Sequence, residues 1–334
     1  MSTLVAAPVA ARALLTEASV LGVGAVGPVP PELAGTAAAA AASGAAPTDW
    51  FDHATVLGPR GYKYLPLPSQ LSLAAGRRAL SGVDLEAVPS TSRSLWVAAS
   101  TAAASLHEPM DATVRSRGAD LLSPLGAPFF SINLAAGRLS SELLSHGGAT
   151  TYTTPGTAGL DALAGAVRMT DPRRATGHVL AVVLAVEVAP PAGEPGAEPP
   201  ESGAVALVLG TTGRPGRARV SVRRGSWGPR TAEADLSALV DACAADGAPV
   251  RLLAAPQARA ALPGTGYLAD ALVTEVAVGS GSYVPLAAVA AAVRGPGPVV
   301  LVVAGPDGRA GAVHVRPGDA EDLPARRRPQ EETA

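Results

Sequence analysis

Residues Thr150 to Leu163 read TTYTTPGTAGLDAL. A β-branched, strand-like run (Thr150, Thr151, Tyr152, Thr153, Thr154) breaks at Pro155-Gly156, and a small-residue helix begins at Ala158. An elbow of this kind presents one side chain at a helix N-terminus. There the dipole and the free N–H groups depress the pKa of a thiol, which is the chemistry of an activated nucleophile. The break itself carries no nucleophilic side chain.

Other residue groups suggest chemistry more weakly. Gly22-Val23-Gly24-Ala25-Val26-Gly27 is a formal G-x-G-x-x-G after a strand. A dinucleotide site needs a helix to start at once on the pyrophosphate, and Pro28-Val29-Pro30-Pro31 intervenes. Asp49 has a plausible spacing for the ribose but sits in a Pro-Thr-Asp-Trp loop. His107, Glu108 and Asp111 invite a metal, but Pro109 should break the helix that a zinc motif needs, which leaves a solvated loop. His53 and His146 are isolated. His314 alternates with Val313 and Val315 along a strand and is expected to face solvent. Arg60, Tyr62, Lys63 and Tyr64 form a basic-aromatic cluster, suited to local packing of two tyrosines or to an acidic partner surface. Arg326-Arg327-Arg328 shares its tail with Glu331 and Glu332 and reads as solvated.

Composition narrows the class. The chain of 334 residues is 48% hydrophobic and 16% charged, enough for a large buried core. A net charge of −2 argues against a general nucleic-acid or anionic-membrane binder. Lys63 is the only lysine, a bias that with abundant Ala, Gly and Pro reflects G/C-rich codons rather than function. The single cysteine, Cys243, excludes an intrachain disulfide and fits a cytoplasmic protein. Its helical spacing with Leu236, Leu239 and Val240 makes it a buried hydrophobe. The apolar runs Val179–Val186 and Pro298–Ala304 are too short to span a bilayer, and the N-terminus lacks the pattern of a signal peptide.

Periodicity sets the elements. Strands are expected at Ser19–Val26, Leu95–Ala99, His178–Val188, Ala204–Leu209, Arg217–Val222, Val250–Leu253, Val299–Ala304 and Gly311–Arg316. Helices are expected at Leu33–Ala42, Ser69–Leu80, Asn133–Leu144, Ala158–Met169, Ala232–Ala245 and Val284–Arg294. Ala189–Ser202 is a Pro-, Gly- and Glu-rich link, and the tail 318–334 is expected to be disordered. Helix LDALAGAVR followed by strand VLAVVLAVEV and strand AVALVLG is echoed by helix VPLAAVAAAVR, strand VVLVVA and strand GAVHVR, an internal repeat.

The elbow resembles the nucleophile turn of the β-ketoacyl synthases, written S-T-A-C-A-S-G-L. Laid on this chain it runs Thr153, Thr154, Pro155, Gly156, Thr157, Ala158, Gly159, Leu160, and the family's cysteine falls on Gly156. Ser19–Gly27, Phe51–Leu80 and Leu95–Ala99 are similar to successive ketosynthase segments. Asn133-Leu134-Ala135-Ala136-Gly137 resembles the N-x-A-A-G step before the elbow strand, and Glu201–Leu209 resembles the strand E-G-A-G-x-L-V-L. The resemblance implies an α/β thiolase-like fold: duplicated βαβαβαββ halves in an α-β-α-β-α layered arrangement, with halves at 1–210 and 211–317.

It also implies what is missing. Active members of the family use cysteine, two histidines and a nearby lysine. No histidine lies between His178 and His314. Gly264-Thr265-Gly266 is similar to a remnant of H-G-T-G-T, with Pro263 in the histidine place, and Gly279-Ser280-Gly281 to a remnant of G-H-T, with Ser280 in the second. No catalytic group is therefore expected at Gly156, Pro263 or Ser280, and no metal or cofactor. This profile resembles the chain-length factors of type II polyketide synthases, which pair with an active ketosynthase, and LGPRGYKYLP resembles the partners in polyene-forming systems. The resemblance implies a ketosynthase partner and a transient acyl-carrier-protein partner. It places Thr150, Thr151, Tyr152, Thr153 and Thr154 at the dimer interface, Asn133, Ala135, Ala136 and Gly137 beside the acyl tunnel, and Arg60 and Lys63 at the carrier. Two alternatives stay open: a homodimeric scaffold holding a carrier or acyl ligand, and an enzyme reusing the cleft through Ser280, Ser282 or Tyr283.

Overall fold

The computed structural model describes residues 16–28, 50–59, 61–124, 126, 129, 132–174, 177–188, 202–243, 247–262, 268, 271–276 and 281–318. The expected helix at 33–42, most of the link at 189–202 and the tail beyond 318 lie outside the described residues, as do Asp49, Arg60, Pro263 and Ser280.

The strands are β1 Glu17–Val26, β2 Arg93–Ala98, β3 Ala149–Tyr152, β4 Leu180–Glu187, β5 Gly203–Thr211, β6 Ala218–Ser226, β7 Val250–Ala254, β8 Leu272–Glu275, β9 Val299–Ala304 and β10 Arg309–Pro317. The helices are α1 His53–Leu57, α2 Leu67–Leu80, α3 Thr101–Arg117, α4 Ile132–Glu142, α5 Ala158–Met169, α6 Ala232–Ala242, α7 Pro256–Ala260 and α8 Tyr283–Arg294. One 10-stranded sheet runs β3-β2-β4-β5-β1-β6-β10-β9-β7-β8. With strands counted from the start of each half, the order from either end is third, second, fourth, fifth, first. β3-β2-β4 and β8-β7-β9 are parallel, β4-β5 and β9-β10 are antiparallel hairpins, and β1 meets β6 antiparallel at the centre. The two halves join between Thr211 and Ala218. Each half is a βαβαβαββ unit.

Burial explains the layers. β4 and β5 are apolar on both faces and buried along nearly their whole length, the pattern of strands covered on two sides. α5 and α8 pack on each other and touch strands of both halves, forming the middle layer with Leu160, Leu163, Leu286 and Val289. α2 and α4 cover the outer face of the first half with Leu71, Leu73 and Leu139. α6 covers the outer face of the second half with Leu236 and Val240. The order is therefore α-β-α-β-α, the thiolase-like arrangement.

Two sequence expectations fail here. α3 runs through Pro109 without stopping, so His107, Glu108 and Asp111 lie on a helix rather than in a loop. Four polar residues make contacts within it: Asp111 pairs with Arg115 one turn on at 2.7 Å, and the hydroxyls of Thr113 and Ser116 donate to carbonyls four residues back. His314 is buried, only 6% exposed, because the second half of the sheet is covered on both faces.

Candidate functional site

The elbow forms as the sequence dictates. β3 ends at Tyr152, Pro155 stops it, and Gly156 turns the chain with φ +76°, a left-handed conformation that glycine adopts without steric cost. Thr157 then precedes α5. The tip faces inward rather than into a cleft, since Gly156 is buried. A Cβ on Gly156 would stand 2.4 Å from Pro306 Cδ and 3.0 Å from Gly305 Cα. Those two residues begin the β9–β10 turn, which lies over the elbow as a cap.

Trp227 holds that cap. Its indole Nε1 donates to the Gly305 carbonyl at 3.0 Å, and its backbone N–H donates to the Gly308 carbonyl at 2.8 Å. On the other side the equivalent elbow of the second half abuts the first. A Cβ on Gly281 would fall 2.2 Å from Gly156 Cα. Only a glycine pair permits this backbone contact.

The helix N-terminus is electrically occupied as well. The Ala158 N–H donates to the Thr154 carbonyl at 3.0 Å, and the Gly159 N–H to the Gly281 carbonyl at 3.1 Å. Buried Asp161 in the first turn accepts from the Thr157 hydroxyl at 3.2 Å and pairs with Arg224 at 2.8 Å. Donors that would stabilise a thiolate or an oxyanion are thus bonded to the chain's own oxygens. This elbow holds the two halves together, and the residue at its tip, Gly156, has no side chain.

A buried polar cluster lies beside it, at the carboxyl ends of β2 and β4. Glu187 is fully buried and accepts from the backbone N–H groups of Ser100 at 3.3 Å, Thr101 at 2.8 Å and Ala102 at 3.3 Å, and from the Thr101 hydroxyl. It therefore caps α3. The Ser100 and Ser282 hydroxyls meet at 2.9 Å, tying this cap to the start of α8. Burial raises the Glu187 pKa, opposed by the bonds from Ser282 and Thr101. Sequence reading missed Glu187, Trp227 and Pro306. A charged residue ending a wholly apolar strand was the one available signal, for Glu187. Ser282 and Tyr283 are buried, and Tyr283 packs in the middle layer rather than lining a cleft.

The remaining candidates separate. Thr150, Thr151, Tyr152, Thr153 and Thr154 run along and just past β3, an outermost strand of the sheet. Thr150 and Thr153 are exposed, while Tyr152 stacks on Trp96 with centroids 6.2 Å apart. Asn133, Ala135, Ala136 and Gly137 all sit on α4. The side chains of Asn133 and Ala135 lie outside the described residues. Ala136 is buried in the outer cluster against the sheet, whereas Gly137 is exposed with open space where a Cβ would project. Lys63 lies 4.7 Å over the ring of exposed Tyr64. Tyr62 is instead packed, with Arg77 4.9 Å over its ring.

The competing motifs resolve structurally. Gly22 and Gly24 let α2 pack directly on β1, for Cβ atoms there would stand 1.9 Å from the Ala79 carbonyl oxygen and 2.1 Å from that of Ala75. Residues 27–28, the described residues that follow β1, form a bend and not a helical turn. No group of three metal-ligating side chains occurs among the described residues. Cys243 is buried and its thiol is pushed up to about 11 by burial, so it is inert at neutral pH. His178 stands near Gly147 before β4, at the amino end of the strands. His314 pairs with Val300, some four residues or about 13 Å along β9 from the cap. No described helix is long and apolar enough to cross a membrane.

No protein-family model and no curated protein matches this sequence. Solved structures do match. The ishigamide ketosynthase/chain length factor superposes with TM-score 0.67 at 18% identity over 91% of this chain and 100% of that one. The AntDE:AntF complex, a type II polyketide synthase acyl-carrier protein with its ketosynthase bound to the hexaketide, gives TM-score 0.66 at 13% identity over 91% and 100%. OleA of Xanthomonas campestris with cerulenin gives TM-score 0.52 at 15% identity over 91% and 98%. The chain therefore has the thiolase-like fold of ketosynthases and chain length factors, with its own elbow closed.

Proposed function

We propose that this chain is a non-catalytic subunit of the chain-length-factor type. It pairs with an active ketosynthase in type II polyketide or polyene biosynthesis, in the cytosol, and helps shape the acyl pocket of the pair. The observation that carries this reading is the closed elbow: Gly156 carries no nucleophile, and Pro306 fills the space that one would need. The absence of any histidine between His178 and His314 supports it, since general acid–base groups contribute roughly 10²–10⁴-fold each. The fold shared with a ketosynthase/chain length factor supports the class of partner.

The subunit's work is then geometric. β3 is an outermost strand among the described residues, an edge on which a partner's equivalent strand can continue the sheet. Gly137 on α4 provides room beside that edge, where the partner's acyl chain extends. Lys63 and Tyr64 form an exposed cationic patch for an acidic carrier protein, a transient contact. No metal or cofactor is required.

The test is reconstitution. The chain alone, given malonyl-loaded carrier, should condense nothing. Co-expressed with a type II ketosynthase that carries the cysteine and both histidines, it should co-purify one-to-one and be needed for full-length product. A stable monomer in sedimentation, beside a ketosynthase fully active without it, overturns the reading. A homodimer that ignores the ketosynthase would favour a scaffold instead.

A further inference from the structure

A cavity of about 160 Å³ opens between α5 and β6, toward the C-terminal end of α5 and apart from the elbow. Arg168 of α5, Arg174 of the following turn and Arg224 of β6 stand around a floor that includes Gly165 and Val167, with Thr16 at the rim. The floor is buried and the three guanidinium-bearing residues are exposed, so the charges lean over a concave, low-dielectric surface. Such a shape focuses positive potential.

The charges are not matched locally. Asp161 holds Arg224 at 2.8 Å, and Asp171 holds Arg173 at 2.8 Å beside Thr16. No described carboxylate pairs with Arg168 or Arg174. Arg168, Arg174 and Arg224 all line the one cavity, which brings the three cations around a single space. A chain of net charge −2 has no general reason to gather four guanidinium groups against two carboxylates here. Guanidinium forks suit the tetrahedral oxygens of phosphate, which they bind bidentately.

We propose that this cavity binds the phosphoryl group of a small organic ligand, with Arg168 and Arg174 as its free donors and Arg224 as a cation already oriented by Asp161. The assignment is independent of the partner-subunit reading. The ligand is a phosphate ester or diphosphate whose organic part lies outside the cavity, because the volume accommodates little beyond the phosphoryl group itself. The Thr16 hydroxyl at the rim is already donated to Asp171 at 3.3 Å.

Titration calorimetry on the full chain tests this with inorganic pyrophosphate, ADP and 4′-phosphopantetheine as probes. Saturable one-site binding is expected for at least one of them. It should weaken at least tenfold in Arg168→Ala/Arg174→Ala, weaken less in the double lysine variant, and be unchanged in Arg259→Ala on distant α7. All these side chains are exposed, so the variants should melt like the parent. Tighter binding of ADP assigns a nucleotide-type ligand, and tighter binding of 4′-phosphopantetheine assigns the carrier's prosthetic arm. Absence of saturable binding by all three, or binding indifferent to Arg168 and Arg174, overturns the proposal.

Discussion

A Cβ on Gly156 would approach Pro306 Cδ to 2.4 Å, far inside van der Waals contact. The first elbow of the chain is thus sealed by the last hairpin turn. Gly156→Cys should therefore do two things. It should destabilise the fold by about 2–4 kcal/mol, combining a left-handed non-glycine residue with overpacking. It should also give no condensation, because no histidine partner accompanies the thiol. Pro306→Ala in the same chain should recover part of the stability and none of the activity. Denaturant melts and a carrier-dependent condensation assay read both; turnover by either variant alone would contradict the closed site.

The elbow, both central helices and the repeat were legible in the sequence because each rests on local signals: a Pro-Gly break, a 3.6-residue apolar period and wholly apolar strands. The rest depended on contacts across the fold. Pro109 argued for a loop, yet the turns on either side of it continue as helix. Alternation at His314 argued for a wet face, but both sheet faces are covered in the second half. The packing of Ala136, which the resemblance places beside the acyl tunnel, against its own sheet was likewise not legible. The seal on Gly156 was invisible, since Pro306 lies 150 positions away along the numbering of the chain.

Gly24 illustrates a glycine read wrongly if read as cofactor chemistry. Gly24→Ala should push α2 off β1, because the Ala75 carbonyl oxygen lies 2.1 Å from the added carbon. Overpacking of backbone cannot be relieved by a rotamer change, so a loss of about 3 kcal/mol is expected. Thermal melts should show that loss with no effect of added NAD or NADP on either protein. Stabilisation of the parent by a dinucleotide, abolished by Gly24→Ala, would restore the motif reading.

Gly137 is the better probe of the proposed acyl pocket. Ala136→Phe would disrupt this chain's own cluster at a cost of about 1–3 kcal/mol and blur the result. Gly137→Phe projects into open space and should leave the isolated fold intact. In the reconstituted pair it should shorten the product while the first condensation proceeds. An unchanged product distribution from an assembled pair would remove Gly137 from the pocket.

Asp171 supplies a pH signature. Bonds from Arg173 hold its carboxyl down at about 2, well below the usual carboxylate range. A depressed acid binds fewer protons folded than unfolded, so its contribution is complete above about pH 4 and is lost as pH falls toward 2. The stability difference between the parent and Asp171→Asn should shrink over that window and stay flat from pH 5 to 8. A difference that instead grew on acidification would mean that Asp171 is not held ionised by Arg173.

Thr151 tests the edge. Leu95 and Ala99 N–H groups donate to the Gly148 and Tyr152 carbonyls at 2.9 Å, so even-numbered residues of β3 face β2. By alternation, Ala149 and Thr151 turn their N–H and C=O groups outward, to the side where no described strand lies. Proline at 151 removes an outward donor and leaves the β2 ladder untouched; prolines are tolerated on edges for this reason. It also removes a buried hydroxyl that has no partner in the isolated chain. Thr151→Pro should therefore keep the fold, with a melting temperature within a few degrees of the parent, and lose the partner. Capture of the ketosynthase should fall at least tenfold in a pull-down, and product of the reconstituted pair should fall with it. Undiminished capture would show that the pair is joined elsewhere than along β3, and the interface would then have to be sought on another face of the molecule.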